Sequence, residues 1–271
     1  MKNESLNEDL EKSDISSEQS EKKVFCGSEQ VSEQEKKSIV NNIFSDVHEK
    51  YDLMNNLMSF GMHHLWKRKF IDLMRKCLIY KNNGIILDVA SGTGDIAIKF
   101  LKSNSQYKVF LSDINTKMLS IAHQKLIDEN LFKQTFCIAN DSTKLPFDDE
   151  IFSLYTVSFG IRNFSNIEGA LKEAYRVLKP YCYFMCMEFS PIKKRGLFSS
   201  AYNFYANKII PKIGEKIAHN KDAYQYLIDS INTFPNKDNF KKMIEEAGFK
   251  NVKYFELNCG LVCIHIGQKL I

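Results

Sequence analysis

The chain has 271 residues, 44% of them hydrophobic, and a formal net charge of +4, which allows one large domain or two small ones. That charge is too small to imply nucleic acid as a partner, and no run approaches the roughly 20 apolar residues needed to span a bilayer. Seven scattered cysteines, an odd number, suit reduced thiols rather than a disulfide framework.

Residues 1–37 hold six lysines against ten acidic residues and a single aromatic, Phe25. Such a segment buries too little apolar surface to offset its ordering entropy, so it predicts a disordered acidic tail. It is acid-rich and lacks arginine, unlike a mitochondrial presequence, and it has no apolar run of the kind a secretory signal carries. The remainder, 38–271, is expected to be one domain.

Residues 38–80 read as a helical lid. Met54, Met58 and Met62 recur every four residues beside Leu53 and Leu57 and share a helical face. A stripe of this kind suits core packing, or a soft wall for an apolar ligand. His63 and His64 point in different directions on a helix, which suits packing or surface positions rather than joint metal ligands. Lys67, Arg68 and Lys69 read as a solvated face or as a contact for anionic lipid.

Past Asn82, Asn83 and Gly84, short apolar runs alternate with amphipathic segments: "IILDVA", "YKVFLSDI", "QTFCIAND", "IFSLYTVSFG" and "YCYFMCMEFS" are strand-like. Such runs read as buried parallel strands, and their alternation with helices predicts a doubly wound α/β sheet. Residues 196–247 read as a helical insertion, with Phe198, Tyr202, Tyr205 and Ile209 as a second apolar stripe. "NVKYFELNCG" and "LVCIHIGQK" are expected to close the sheet as a hairpin around Gly260. Cys182 and Cys186, like Cys259 and Cys263, lie four apart in strand-like runs, so each pair is expected on one face. No histidine cluster joins them, and no metal site is expected.

"LDVASGTGD" follows the first strand, and Gly92-Thr93-Gly94 opens the next helix. Asp113 lies about 20 residues further on, at the end of the second strand. Alone this pattern fits NAD, S-adenosylmethionine or a tight structural turn. Asp95 tips the balance, because a pyrophosphate on the helix N-terminus would be repelled by it, whereas an ammonium and a sulfonium would not. Asp95 also suits a plain helix start, where the dipole favours an acid. Asp113 can accept ribose hydroxyls under either ligand.

Longer motifs extend this reading. "YDLMNNLMSFGMHHLW" resembles the first signature of the ubiquinone/menaquinone biosynthesis C-methyltransferase family, YDxMNxxxSxxxHxxW. "RVLKP" with "MEFS" is similar to its second signature, and "SFGIRN", "AYNFYANKIIPKIGE", "AYQYLIDSI" and "EEAGF" also match, so the resemblance runs from about residue 40 to 269. Three departures stand out. Tyr181-Cys182 replaces the usual Gly-Gly, Ser91 stands where Gly is common, and Thr143 replaces an acidic residue.

The resemblance implies a class I S-adenosylmethionine-dependent methyltransferase (Rossmann-like) fold, with a mostly parallel seven-stranded sheet and helices on both faces. It implies C-methylation of a polyprenylated benzoquinol or demethylmenaquinol ring. Gly92, Thr93, Gly94, Asp113, Asp141, Ser142 and Ser158 would hold the cofactor, each at the C-terminal end of an expected strand. Arg162, paired with Asp95, reached by Tyr51 and next to Asn163, would stabilise the ring oxygen. The family further implies peripheral contact with the mitochondrial inner membrane on the matrix side, or a cytoplasmic location. It also implies a multi-subunit quinone-biosynthesis complex, or a homodimer. The readings set against this are a non-catalytic scaffold of such a complex and an NAD-dependent oxidoreductase.

Overall fold

The computed structural model describes residues 23–27, 29–47, 59, 61–81, 83–191 and 221–271. An N-terminal hairpin, β1 (Lys23–Cys26) with β2 (Glu29–Ser32), leads into α1 (Glu33–Val47). After α2 (His63–Cys77), strands and helices alternate: β3 (Ile85–Val89), α3 (Asp95–Leu101), β4 (Lys108–Asp113), α4 (Thr116–Asp128), β5 (Thr135–Ala139) and β6 (Phe152–Ser158). A 3-10 turn over Ile161–Asn163 precedes α5 (Ile167–Val177) and β7 (Leu178–Phe189). Helices α6 (Lys221–Thr233) and α7 (Lys237–Glu246) and the hairpin of β8 (Lys250–Leu257) and β9 (Val262–Gln268) complete the chain.

The seven strands β3–β9 lie in the order β5-β4-β3-β6-β7-β9-β8. β5 to β7 in that order are parallel, and β9 and β8 join antiparallel. The expected hairpin around Gly260 is present, with Leu257 opposite Val262. Alternation along each strand sends side chains to two cores. Ile86, Leu154 and Met185 face α2, α3 and α4, while Leu87, Tyr155 and Phe184 face α5 and α7. Chain direction across the sheet reverses between β3 and β6. The crevice at their C-terminal ends is therefore where an open α/β sheet receives a ligand.

Several expectations need correction. Residues 23–26 and 29–32 pair as a hairpin, and α1 begins at Glu33 rather than 38, because the composition average hid local anchors. Cys26 is buried, and the buried Lys36 Nζ donates to the Phe164 carbonyl at 2.9 Å. Residues 1–22 lie outside the described residues, as do Tyr51, Met54, Met58 and the stripe of Phe198, Tyr202, Tyr205 and Ile209. Cys182 and Cys186 do share a buried face of β7, but Cys259 is exposed in the hairpin turn and only Cys263 lies in a strand.

At the departure from Gly-Gly, Tyr181 has φ +61°. Glycine adopts that conformation freely, and another residue does so at a cost of roughly 1–2 kcal/mol. The position coincides with a bulge, where pairing jumps from Phe152–Leu178 to Leu154–Tyr183. The strand continues through it.

Candidate functional site

Three adjoining hollows open at the C-terminal ends of β3, β4, β5 and β6, and Ala90 lines all of them. The first lies between the glycine loop and the start of α2. The loop is tight enough to require glycine at two positions. Gly92 and Gly94 have φ of +55° and +77°, and a Cβ on Gly94 would meet Leu111 and Ala122 side chains at 3.1 and 3.2 Å. Across the crevice, a Cβ on Gly160 would stand 2.4 Å from that of Ala90. The β6 end therefore rests directly on the β3 end.

Acidic groups surround these hollows. The Asp113 carboxylate accepts the Gly92 N–H at 2.8 Å through Oδ2 and the Asn115 N–H at 2.9 Å through Oδ1. Burial pushes its pKa up against those two bonds. Asp88 is fully enclosed and its pKa is pushed up to about 7 by burial, although Thr156 donates to it at 2.7 Å. Its Oδ2 is buried without a hydrogen-bond partner, behind the first hollow that the residue borders. Burial also pushes Asp95 up, but Lys67 and Lys99 outweigh that and hold it at about 2. Lys67, Lys99 and Lys37 balance Asp95 and Asp141, which leaves Asp113 as the rim carboxylate placed to meet a ligand's hydroxyls.

Of the residues expected to meet the cofactor, Gly92, Thr93 and Ser158 line the first hollow, while Asp113, Asp141 and Ser142 line the second. Gly94 sets the turn beneath them as the residue preceding α3. Asp141 forms an ion pair with Lys37 of α1 at 2.6 Å and receives both the N–H and hydroxyl of Thr143. Thr143, one of the departures, thus orients Asp141. α1 adds Val40 and Asn41 to the walls, and Asn115 Nδ2 donates to Asn41 Oδ1 at 2.9 Å.

The expected Arg162–Asp95 pair does not exist. Arg162 Nη1 donates to Glu188 Oε1 and to the Phe159 carbonyl, at 2.8 and 2.7 Å, and both members of the ion pair are buried. Asp95 instead meets Lys67 at 2.6 Å, and also Lys99. Arg162 sits behind the Phe189 ring and lines none of the three hollows. Asn163 lines two of them and accepts the Tyr226 hydroxyl at 3.0 Å. Tyr51 lies outside the described residues.

Sequence reasoning missed three participants. Lys67, expected on a solvated face, is 7% exposed, because it shares the buried stripe of His63, Trp66, Phe70 and Met74 at helical spacing. His63, expected to be a packing or surface residue, lines the first hollow. Glu188 had no signal beyond its place in a strand. Trp66, Phe159 and Phe189 form one aromatic cluster in the same hollow, with ring centroids 4.9–6.1 Å apart.

Known proteins share this fold and much of this sequence. A structure of a SAM dependent methyltransferase from Aquifex aeolicus, 18% identical, superposes with a TM-score of 0.51 over 70% of this chain and 84% of that one. At that identity the likeness establishes the fold alone, the S-adenosylmethionine-dependent methyltransferase architecture with its mostly parallel seven-stranded sheet. Ubiquinone/menaquinone biosynthesis C-methyltransferases UbiE of Rickettsia bellii (strain RML369-C) and Rickettsia prowazekii (strain Madrid E) are each 49% identical. Both matches span 248 residues, 90% of this chain and 98% of the relative. Residues 29–269 match the model of the ubiE/COQ5 methyltransferase family, and the chain belongs to that family.

Proposed function

We propose that the chain transfers the methyl group of S-adenosylmethionine to a ring carbon of a polyprenylated benzoquinol or demethylmenaquinol. The observation that carries this is near-half identity over almost the whole length of relatives named ubiquinone/menaquinone biosynthesis C-methyltransferases. An aromatic-walled hollow beside the glycine loop suits a planar ring.

When bound, the cofactor supplies a methyl group made electrophilic by a positively charged sulfur. The chain's residues do the rest in this reading. Asp113 accepts the ribose hydroxyls, while Asp141 and Ser142 flank the adenine. Gly92, Thr93 and Ser158 shape the path between cofactor and substrate. Lys67 and Lys99 hold Asp95 at the start of α3, beside the cofactor's path. Trp66, Phe159 and Phe189 hold the ring and exclude water, so that positioning supplies much of the acceleration. Arg162 fixes the turn that presents Asn163, and Tyr51 belongs to the same proposed constellation.

Because the substrate is a lipid, peripheral contact with the membrane that holds it is part of the proposal, as are a quinone-biosynthesis complex and a homodimer. No described helix is long and apolar enough to cross a membrane. The reported relatives are bacterial. They favour the cytoplasmic alternative over the mitochondrial matrix.

The test is incubation of purified protein with isotopically labelled S-adenosylmethionine and a short-chain demethylated quinol, read by mass spectrometry. Label on a ring carbon is expected. Cofactor binding with no labelled product from either quinol class would favour the scaffold. Binding of NAD in place of S-adenosylmethionine would favour the oxidoreductase.

A further inference from the structure

His63 begins α2 and is 6% exposed, yet it lines the aromatic hollow. Its two ring nitrogens differ in their surroundings. Nδ1 lies 2.8 Å from Ser59 Oγ, and the same oxygen accepts the His63 backbone N–H at 3.3 Å. A hydroxyl oxygen has two lone pairs, so Ser59 can accept from both when Nδ1 carries the ring proton. Nε2 then holds a lone pair. It makes no hydrogen bond among the described residues, and the residue that carries it lines the hollow.

The charges around the ring decide its protonation. Burial pushes its pKa down to about 4, with Lys67, His64 and Lys99 adding to the effect and Asp95 opposing it. The ring is therefore neutral at neutral pH. A phenolic hydroxyl ionises near pH 10, about six units higher, so His63 is a poor carrier for a phenolic proton. It is well suited to receive a hydrogen bond from one.

We propose that Nε2 of His63 accepts a hydrogen bond from a ring hydroxyl of the substrate, so that the site selects the reduced quinol over the oxidised quinone. The inference rests on the function proposed above and names the residue that reads the substrate's redox state. A quinol brings an O–H donor to Nε2. A quinone brings a carbonyl, which sets lone pair against lone pair and leaves a buried acceptor unsatisfied. That loss corresponds to a roughly ten- to hundredfold preference for the quinol.

Two substitutions separate this role from a structural one. Asparagine places an amide near Nδ1 and can keep the Ser59 contact, but it has no atom at the Nε2 position. Glutamine reaches the Nε2 position and gives up Nδ1. The experiment measures binding of a short-chain demethylated quinol, kept reduced without oxygen, and of its quinone. Wild type, His63→Asn and His63→Gln are compared with S-adenosylhomocysteine present, alongside cofactor affinity, melting temperature and nitrogen NMR of the imidazole.

The expected result is a quinol preference of at least about tenfold in wild type, lost in His63→Asn with cofactor affinity unchanged and partly kept in His63→Gln. The NMR spectrum should show protonated Nδ1 and unprotonated Nε2. A preference retained in His63→Asn, no preference in wild type, or a proton on Nε2 would overturn the inference while quinol methylation stood. A protein that binds cofactor but methylates no quinol would overturn the function as well.

Discussion

Arg162 and Glu188 form an ion pair 2.8 Å long with side chains 6% and 2% exposed, joining the turn after β6 to the end of β7. Removing one partner of such a pair strands a buried charge, at a cost of about 3–5 kcal/mol. Glu188→Gln should therefore lower the urea midpoint sharply, and Arg162→Met with Glu188→Leu should cost less than the two single changes together. Arg162→Ala and Asp95→Asn should instead be additive within about 0.5 kcal/mol, since they share no partner. Strong coupling between Arg162 and Asp95 in such a cycle would contradict the observed pairing.

Asp113 spends one acceptor site of each oxygen on a backbone N–H, which fixes the carboxylate at the rim of the second and third hollows. Asp113→Ala should weaken S-adenosylmethionine and S-adenosylhomocysteine alike by about ten- to hundredfold, the value of hydrogen bonds to a charged group. Titration calorimetry giving wild-type affinity would remove Asp113 from the cofactor site.

Deleting residues 1–22 should leave the melting temperature within about a degree, because every contact described for the hairpin and α1 survives. Deletion through residue 37 also removes Lys36, which donates to the Phe164 carbonyl, and Lys37, which pairs with Asp141. A loss of about 2 kcal/mol or more is expected, or roughly 4–8 °C for a domain of this size. Equal melting curves for the two truncations would show the hairpin and first turn of α1 to be dispensable.

His265 is 2% exposed and its Nε2–H donates to the Lys237 carbonyl at 2.9 Å. Burial pushes its pKa down to about 4, below the unfolded value of about 6.5. The unfolded state thus binds the proton first, and the stability that His265 contributes is lost as pH falls from 6.5 towards 4. Between pH 7 and 5 the wild type should lose about 2 kcal/mol relative to His265→Gln. Parallel pH profiles for the two proteins would show that this imidazole titrates normally in the fold.

The sheet and the cofactor end of the site were legible because local rules govern them. "IILDVA" and "YKVFLSDI" announce β3 and β4 by apolar runs bounded by turn residues, and Gly92, Gly94, Asp95 and Asp113 follow from what a strand–turn–helix needs. The partner of Arg162 was not legible, since Glu188 is 26 residues away and meets it only through the β6–β7 register that sets Ser158 beside Met187. Lys67 was readable in principle: it falls four residues after His63 on the stripe of Trp66, Phe70 and Met74. Counting it with Arg68 and Lys69 as a charge run hid that position. For residues 23–37, averaged composition outweighed a few local anchors.

Gly160 and Ala90 meet with no side chain between them beyond one methyl group. One belongs to the approach to Asn163, the other to the glycine loop, so the spacing between the two halves of the site is set by main chain against a single methyl group. Neither residue has a side-chain torsion to adjust. The distance from one half to the other therefore behaves as a fixed length of the scaffold, and adaptation to a new ring substituent has to come from the aromatic walls instead.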